Sequence, residues 1–396
     1  MSHSLRVGLI GTGFLALTRA RCWARVHGHR LEIAAVASRK VDSAQAFANE
    51  HGIARATSVD ELLADSSIDV VDLCVPNRVH RDLALRAAGA GKHALCTKPL
   101  TAFWGQGLAD DASAEDVAAA SRLEMLEHAA SDANDMIAAC ADAKVRLFYG
   151  ENWVHAPSIR RAAQLSAASN GVILEMRGWE SHSGSHSEYA RDWRHTGGGA
   201  LLRLGAHPIG AMLWLKRLEG ERLNGAPTRV VAVTAEVADL TATPLLEGRS
   251  AHVATGWSPV ENWGTAVLHF DDGTRGTVFG SDAMLGGMQS HLTVLASDHR
   301  HECSLSPHDQ LSSYAPTDGT FGGEYVMEKV SGQAGWTTPI PDEDWSSGQQ
   351  GLVQAVADDL AAERAPDADG ELGRDTVRVV YAAYESAAKG TRISLD

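Results

Sequence analysis

The feature that most constrains the fold is a glycine-containing turn directly after the first apolar segment. Leu5–Ile10 is a short apolar run typical of a buried strand, and residues 11–16, G-T-G-F-L-A, lead into a helical pattern that continues to residue 26. In this spacing Gly11 permits a tight turn, Gly13 lets the backbone approach a pyrophosphate, and Ala16 allows the helix to pack closely on the strand. The N–H groups at the helix N-terminus would bind phosphate. The sequence therefore predicts a dinucleotide-binding unit whose cofactor contacts Gly11, Thr12, Gly13, Phe14 and Leu15.

Further strands and helices alternate through the first 150 residues. Apolar, strand-like segments recur at residues 32–37, 69–75, 93–96 and 144–149, and helical patterns separate them. Continuous apolar strands joined by helices are typical of a parallel sheet covered on both faces. We therefore predict an α/β fold whose first domain, residues 1–150, is a doubly wound Rossmann sheet. Residues 104–116 are expected to form a surface loop, followed by one acidic helical region at 114–143.

The pattern changes after residue 150. Strand-like runs follow one another with few helices, and Asp271–Gly273 has the sequence of a hairpin turn. This order predicts an α+β second domain, residues 151–396, with a large, mostly antiparallel open sheet. Helical patterns are expected at residues 157–168 and 201–215 and again near the end of the chain. A chain of 396 residues also exceeds the usual size of a single hydrophobic core.

Composition narrows the partners and the compartment. The net charge of −15 argues against nucleic acids and anionic membrane surfaces as partners. No apolar run has the length needed to cross a bilayer, and the chain begins in a strand pattern without a secretory h-region. Five scattered cysteines without paired spacing favour the reducing cytoplasm. The eighteen histidines form no zinc-binding spacing, so no metal is expected.

The end of the second strand bears on which nicotinamide cofactor binds. An acidic residue at this position would bind the 2′-hydroxyl of NAD, whereas cationic residues accommodate the 2′-phosphate of NADP. Here the chain continues Ser38-Arg39-Lys40, which supplies one hydroxyl and two cations. These three residues favour NADP over NAD, although a solvated surface turn would have a similar composition.

Three motifs together resemble one enzyme family. The fingerprint is followed by Pro76-Asn77-x-x-His80, by A-G-K-H-A-L-C-T-K-P-L at residues 90–100, and by G-G-G-A-L-L-R-L-G-A-H at residues 197–207. In this order they resemble the Gfo/Idh/MocA oxidoreductases over nearly the whole chain. The resemblance implies a Rossmann domain and an open-sheet domain with the active site between them. It also implies substrates among sugars, inositols and related polyols, assembly as dimers or tetramers, and, in a minority of members, redox-neutral cleavage of glycosidic bonds.

The resemblance also implies roles for individual residues. Lys98 would lie beside the nicotinamide and bind the reacting hydroxyl, and His207 would act as a general base, since its ordinary pKa lies near neutrality. Asn77 and His80 would line the nicotinamide pocket, unless Asn77 merely caps a helix. The cofactor site would be completed by Pro76, Thr97 and Lys98.

Two positions depart from the family pattern. The usual Glu-Lys-Pro is Thr97-Lys98-Pro99, and the usual Asp four residues before the histidine is Arg203. Four residues apart on a helix, Arg203 and His207 would share one face. Arg203 would lower the pKa of Lys98 by like-charge repulsion and would offer a forked donor to an anion.

An anion site would draw on the basic segment that precedes this helix. A substrate bearing a carboxylate, sulfonate or phosphate would then be bound, with these candidate substrate residues: Lys98, Trp153, His182, His186, Arg194, Arg203 and His207. Alternatively, the arginines pair with Glu175, Glu180, Glu188 and Asp192 on the surface. At the crossover between domains, Trp153 could stack on a sugar or belong to the core, and Glu151 could replace the missing acid.

Three functions remain open from the sequence. The first is an NAD(P)-dependent oxidoreductase acting on a secondary hydroxyl of a carbohydrate. The second is a glycoside hydrolase that oxidises its substrate transiently, eliminates, adds water and reduces it again. The third is a non-catalytic nicotinamide-binding sensor, which the presence of Lys98 and His207 disfavours. One face of the second sheet must be covered, so a homodimer or homotetramer is expected.

Overall fold

The computed structural model describes residues 4–109, 111–185, 188–257, 259–326, 328–330 and 332–395. Its first sheet has six parallel strands in the order β3-β2-β1-β4-β5-β6. The order reverses beside β1, where ligands bind in doubly wound sheets. The strands are β1 (Leu5–Ile10), β2 (Leu31–Ala37), β3 (Ala56–Thr57), β4 (Val70–Leu73), β5 (His93–Thr97) and β6 (Leu147–Gly150). This sheet confirms the predicted Rossmann fold.

Helices cover this sheet as predicted, with different bounds in the acidic region. They are α1 (Phe14–Ala24), α2 (Val41–His51), α3 (Val59–Ala64), α4 (His80–Gly89), α5 (Ala114–Ala119) and α6 (Arg122–Asp142). The helical region expected at 114–143 is confirmed but divided in two, because Ala120 has extended geometry (ψ 152°) and separates α5 from α6. The expected loop at 104–116 ends at Ser113, whose side chain and that of Asp116 form a capping box for α5.

The second sheet has seven strands in the order β12-β11-β7-β10-β9-β8-β15. Neighbouring strands are antiparallel except for the central pair β7 and β10, which confirms a mostly antiparallel sheet. A separate two-stranded antiparallel sheet pairs β13 with β14. The strands are β7 (Ile173–Ser181), β8 (Val230–Ala238), β9 (Trp263–Phe270), β10 (Arg275–Ser281), β11 (Gln289–Ala296), β12 (Arg300–Ser304), β13 (Ser313–Ala315), β14 (Gly335–Thr337) and β15 (Ile393–Ser394).

The remaining helices follow β6 along the chain. They are α7 (Pro157–Ala168), α8 (Trp193–Thr196), α9 (Ala206–Asn224), α10 (Glu343–Ser346), α11 (Gln349–Ala361) and α12 (Gly370–Lys389). Helix α9 packs against β7, α11 packs against α1, and α12 packs against both α6 and β8. The last two helices therefore connect the two parts of the chain, and a domain boundary at residue 150 stays a prediction.

The segment before α9 differs from the regular helix expected at residues 201–215. Leu201–Gly205 form a π-helix that leads directly into α9. π-Helical turns widen the backbone locally and occur frequently at functional sites. This turn changes the spacing of the side chains before His207, and therefore the position of Arg203 relative to His207.

Two chain-wide properties follow from the described residues. All five cysteines are buried thiols without a disulfide. Among the helices of the described ranges, none combines the length and the apolar character that crossing a membrane requires.

Candidate active site

The dinucleotide turn has the geometry that its glycines indicate. Gly11 has φ of +123°, and a Cβ there would lie 2.1 Å from the carbonyl oxygen of Cys74. Gly13 precedes α1, is exposed, and a Cβ there would meet no atom within 4 Å. Ala16 is wholly buried, as expected for close contact between helix and strand. The open space at Gly13, beside the N-terminal N–H groups of α1, fits the pyrophosphate of a dinucleotide.

The residues predicted to select the cofactor follow β2 on the same edge of the sheet. Ser38 is half-buried and its Oγ donates a hydrogen bond to the carbonyl of Lys40 at 2.6 Å. Arg39 and Lys40 are exposed. Both cations are therefore accessible to a cofactor phosphate.

Lys98 directly follows β5, and its turn is held by His80. The Lys98–Pro99 peptide is cis. Nδ1 of His80 lies 3.1 Å from the carbonyl oxygens of both Pro99 and Leu100, and Nε2 lies 2.9 Å from that of Val75. His80 is 1% exposed. The prediction that His80 lines the nicotinamide pocket is therefore wrong, because its ring is buried and its nitrogens contact backbone carbonyls, Nδ1 in the turn after Lys98 and Nε2 after β4.

Asn77 connects the Rossmann sheet to the glycine-rich turn of the second part of the chain. Its Nδ2 donates a hydrogen bond to the carbonyl of Thr196 at 2.6 Å. Pro76 directly precedes the 3-10 turn that contains Asn77, and Thr97, the last residue of β5, is buried. Asn77 therefore lies where the two sheets meet, and its role toward the nicotinamide stays a prediction.

A buried carboxylate fixes the glycine-rich turn that precedes the π-helix. Glu261 accepts hydrogen bonds from the N–H groups of Gly199 (2.9 Å) and Leu201 (3.1 Å) and from the hydroxyl of Tyr384 (2.8 Å). A Cβ at Gly199 would lie 1.8 Å from the carbonyl oxygen of Glu261, so this position requires glycine. Burial raises the pKa of Glu261 to about 6. The turn therefore holds the start of the π-helix in a fixed place.

The parallel pair β7 and β10 brings two acidic residues to the π-helix. Because the strands are parallel, their carboxyl ends lie at the same edge, where β7 ends with Glu180 and Ser181 and Asp282 directly follows β10. The backbone approach is close, since a Cβ at Gly280 would lie 2.6 Å from the carbonyl oxygen of Ala200. Glu180 was expected on the surface as a partner of arginines, and this is wrong, because it is 5% exposed.

Arg203 forms an ion pair with Asp282, whose side chain is wholly buried. The guanidinium also lies over the ring of Trp257, 5.1 Å from its centroid. The backbone carbonyl of Arg203 accepts a hydrogen bond from Nζ of Lys98. Arg203 is therefore not the uncompensated forked donor that the sequence indicated, because Asp282 already balances its charge.

The surroundings of Lys98 lower the pKa of its ammonium group. Burial is the largest cause, and the neighbouring charge of Arg203 acts in the same direction, as the sequence predicted. Glu180, Glu151 and Glu328 act in the opposite direction. The amine of Lys98 thus lies near three carboxyl groups, at the edge where β5 ends.

His207, the second residue of α9, is held between two acidic side chains. Its Nδ1 lies 2.6 Å from Oε1 of Glu151, and its Nε2 lies 3.7 Å from Oε1 of Glu180. The imidazole is 5% exposed, and burial lowers its pKa to about 3. His207 is therefore neutral at physiological pH, with Nδ1 engaged and Nε2 beyond hydrogen-bond distance from Glu180.

Burial also perturbs the two carboxyl groups. Glu151, directly after β6, is wholly buried, and burial raises its pKa to about 8 while Lys98 opposes the shift. Burial likewise raises the pKa of Glu180. Sequence reasoning named Glu151 as a substitute acid but missed Glu180 as a site residue. The position of Glu180 at the end of a predicted strand was the signal that could have placed it in the site.

Trp153 belongs to the core. It is 1% exposed, its ring stacks on His207 with 6.0 Å between centroids, and its Nε1 donates a hydrogen bond to Oε2 of Glu180 at 3.1 Å. The prediction that Trp153 stacks on a sugar is wrong, because its faces are covered by protein. The contacts of Trp153 instead hold the side chains of His207 and Glu180 in place.

The basic segment before the π-helix divides between the site and the surface. His182 is buried, its Nδ1 accepts a hydrogen bond from the N–H of Gly184 (3.0 Å), and the same atom lies 3.4 Å from Oδ1 of Asp282. Arg194 donates a hydrogen bond to the carbonyl of Ala112. His186 lies outside the described residues.

Two other basic residues of this segment pair with neighbouring acids. Arg177 pairs with Glu175 (2.6 Å), and His195 pairs with Asp192 (2.6 Å). These contacts follow the surface-pairing alternative. Within the described ranges, no three His, Cys, Asp or Glu side chains converge as ligands for a metal ion.

Comparison with known proteins assigns both parts of the chain. Residues 5–123 match the GFO/IDH/MocA oxidoreductase family with an NAD-binding Rossmann fold, and residues 160–300 match the GFO/IDH/MocA C-terminal domain. D-xylose 1-dehydrogenase (NADP(+)) 2 of Haloferax volcanii is 26% identical over 393 residues, which span 98% of this chain and 99% of that protein.

Solved structures show the same architecture. The crystal structure of GenD2 from gentamicin A biosynthesis in complex with NAD superposes with a TM-score of 0.77 at 25% identity, covering 100% of this chain and 97% of that one. Levoglucosan dehydrogenase, in complex with NADH and L-sorbose, superposes with a TM-score of 0.71 at 19% identity and covers 100% of both chains. The fold, the dinucleotide turn and the two family matches together show that this chain belongs to the Gfo/Idh/MocA family of NAD(P)-dependent oxidoreductases.

Proposed function

We propose that the protein moves a hydride between a nicotinamide cofactor and a secondary hydroxyl of a neutral sugar or related polyol. The observation that supports this most directly is the cluster of Lys98, His207, Glu151 and Glu180 where the two sheets meet. A half-buried lysine beside a neutral imidazole and two buried carboxyl groups is suited to moving a proton on and off an alcohol oxygen. Catalytic roles for Lys98 and His207 are part of the proposal.

Each group contributes a separate function. The nicotinamide, when bound, supplies or accepts the hydride at the substrate carbon. Lys98 donates a hydrogen bond to the reacting oxygen and stabilises the negative charge that develops there. His207 exchanges the hydroxyl proton through Nε2, the nitrogen that faces away from Glu151.

The charges around the site favour a neutral substrate over an anionic one. Arg203 is balanced by Asp282, and Lys98 faces Glu151 and Glu180. An anion would therefore find no uncompensated arginine at position 203. The D-xylose dehydrogenase that aligns over the full chain is named for a neutral sugar, which supports the same choice.

Arg39 and Lys40 support NADP as the preferred cofactor. Both are exposed at the end of β2, and the same relative is named for NADP(+). Cations at this strand end accommodate a 2′-phosphate. NAD would still bind through the turn at Gly11–Gly13, with less affinity.

The proposal is tested with the purified protein, NAD and NADP, and a panel of neutral sugars, uronic acids and aryl glycosides. Reduced cofactor should accumulate in proportion to oxidised neutral sugar. Lys98→Ala should lower kcat by about 10³-fold while the dissociation constant for the cofactor stays unchanged. The exposed Lys389→Ala is the matched control and should retain full turnover. Wild-type turnover in Lys98→Ala would contradict the assignment.

The same assay separates the alternatives. Aglycone release over many turnovers without net cofactor reduction would identify a redox-cycling glycosidase. Cofactor binding without exchange of any substrate C–H hydrogen would identify a sensor. A preference for uronic acids that is lost in Arg203→Gln would restore the anionic-substrate hypothesis.

We further propose that the protein forms a homodimer or homotetramer through the second sheet. Helix α9 packs on the face to which Gly178 and Gly276 point, so the alternate residues of β7 and β10 point to the other face. These include Trp179, which stacks on His291 (4.6 Å), and Phe279, which is 40% exposed. Sedimentation equilibrium should give a multiple of 42.1 kDa, and Phe279→Arg should yield the monomer. A monomeric wild-type protein would contradict this.

A further inference from the structure

His207 lies between two carboxyl groups that the reaction uses differently. Glu151 is within hydrogen-bond distance of Nδ1, at 2.6 Å, whereas Glu180 is 3.7 Å from Nε2. The Oε2 atom of Glu180 is occupied, because Nε1 of Trp153 (3.1 Å) and Oγ of Ser290 (3.3 Å) both donate to it. Glu180 is therefore anchored away from the imidazole, whereas Glu151 contacts it directly.

We propose that Glu151 is the proton store of a relay that runs through His207 to the substrate oxygen. This inference rests on the proposed oxidoreductase function. In the family an acid lies four residues before the histidine; here we assign its role to Glu151, in the turn after β6. Arg203 occupies that position here and is paired with Asp282. The turn after β6 instead supplies the carboxyl group that contacts Nδ1 of His207, that of Glu151.

The relay balances protons in both directions. In alcohol oxidation, Nε2 takes the hydroxyl proton, Nδ1 gives its own proton to Oε1 of Glu151, and the carbon loses a hydride to the cofactor. In ketone reduction, Nε2–H protonates the substrate oxygen, and the carboxylic acid of Glu151 returns a proton to Nδ1. The imidazole stays neutral before and after each step, and one proton is exchanged with Glu151.

The buried setting favours this relay over an imidazolium intermediate. Burial lowers the pKa of His207 to about 3 and raises that of Glu151 to about 8, so a proton on this pair resides on Glu151. The charged or titratable groups that bear on the pair are Lys98, Glu180 and the hydroxyl of Tyr149. Only Lys98 among them favours the ionised form of Glu151. Glu151 can therefore alternate between its two forms near neutral pH.

The relay predicts opposite pH dependences for the two directions. Oxidation requires ionised Glu151, so its kcat should rise with pH through about 8, whereas reduction requires the carboxylic acid, so its kcat should fall over the same range. If His207 acted without Glu151, kcat would instead change with pH near the pKa of the histidine. Two opposite limbs whose shared apparent pKa lies near 8, and not near the pKa of His207, are therefore the signature of Glu151.

The test uses Glu151→Gln, which is nearly isosteric and keeps a hydrogen bond to Nδ1 but stores no proton. We expect kcat to fall about 100-fold in both directions and both pH limbs to disappear. KM and cofactor affinity should stay unchanged. Glu151→Asp should restore the limbs in part. Glu180→Gln changes the other carboxyl group beside His207, so its kcat should also fall, but it should keep both pH limbs. Lys389→Ala is the control for unchanged turnover. Retention of the wild-type pH limbs in Glu151→Gln would overturn the proposal.

A second readout does not depend on turnover. Infrared difference spectra of the protein between pH 6 and pH 9 should show protonated carboxyl bands, one component of which Glu151→Gln removes and Glu180→Gln retains. Persistence of every component in Glu151→Gln would overturn the assignment of the proton. If the wild-type protein oxidises none of the sugars, the proposed function fails; if it is active but Glu151→Gln keeps both limbs, only the relay fails.

Discussion

Arg203 and Asp282 form an ion pair between the π-helix and the end of β10, and the aspartate is wholly buried. Asp282 compensates the charge of Arg203, which occupies the position where the family has an acid. The pair also fixes the backbone whose carbonyl accepts the hydrogen bond from Lys98. The pair therefore affects both the stability of the protein and the position of the reacting groups.

Removing one partner of this pair leaves the other charge uncompensated. Asp282→Ala should lower the free energy of unfolding by about 3–5 kcal/mol, measured by urea unfolding. The double variant Arg203→Met with Asp282→Leu should lose less than the sum of its two single variants, because no isolated charge remains. Additive losses would show that the pair contributes no coupling.

The two glycines of the dinucleotide turn should respond differently to alanine. In Gly11→Ala, positive φ and the contact with the carbonyl of Cys74 should lower the free energy of unfolding by about 1–3 kcal/mol or more. Gly13→Ala has room for its Cβ, so stability should stay near wild type while cofactor affinity falls, since the methyl group enters the space expected for the pyrophosphate. Thermal unfolding and cofactor titration measure the two effects. Unchanged affinity in Gly13→Ala would place the dinucleotide elsewhere.

Cofactor preference should depend on the exposed cations after β2. Arg39→Asp places a carboxylate where NAD would offer a ribose 2′-hydroxyl and NADP a phosphate. The ratio of kcat/KM for NADP to that for NAD should fall by about 10-fold or more, because one ionic hydrogen bond is replaced by repulsion. Arg55→Asp, at another exposed arginine directly before β3, is the control. An unchanged ratio would remove Ser38-Arg39-Lys40 from the cofactor site.

The hydroxyl of Tyr384 should stabilise the glycine-rich turn. Tyr384→Phe removes the hydrogen bond to Glu261 and leaves a buried carboxyl group with one donor fewer, which should cost about 1.5–3 kcal/mol in urea unfolding. Tyr314→Phe, at a side chain 58% exposed, should cost far less. Equal effects of the two substitutions would show that the hydroxyl of Tyr384 contributes nothing specific.

Local patterns predicted the Rossmann sheet, the dinucleotide turn and the mostly antiparallel second sheet. Each depends on interactions within a short stretch of chain, such as the alternation of apolar segments or the conformational freedom of Gly11. The break between α5 and α6 and the π-helix at Leu201–Gly205 were missed. The first depends on the backbone of a single residue, Ala120, and the second lies where Glu261 holds the preceding turn from a distant segment.

The sequence by itself determined which residue types follow the strands of the first sheet, Lys98 among them, and its resemblance to the family implied that Lys98 and His207 share one site. Only the tertiary structure decided their partners. Glu151 reaches His207 across 56 residues, and Asp282 reaches Arg203 across 79. These contacts arise because β7 and β10 run in parallel and because α9 packs against β7 and against the turn after β6. Burial of Glu151 and His207 where these elements pack together sets the pKa values on which the proposed relay depends, and no local sequence pattern predicts that burial.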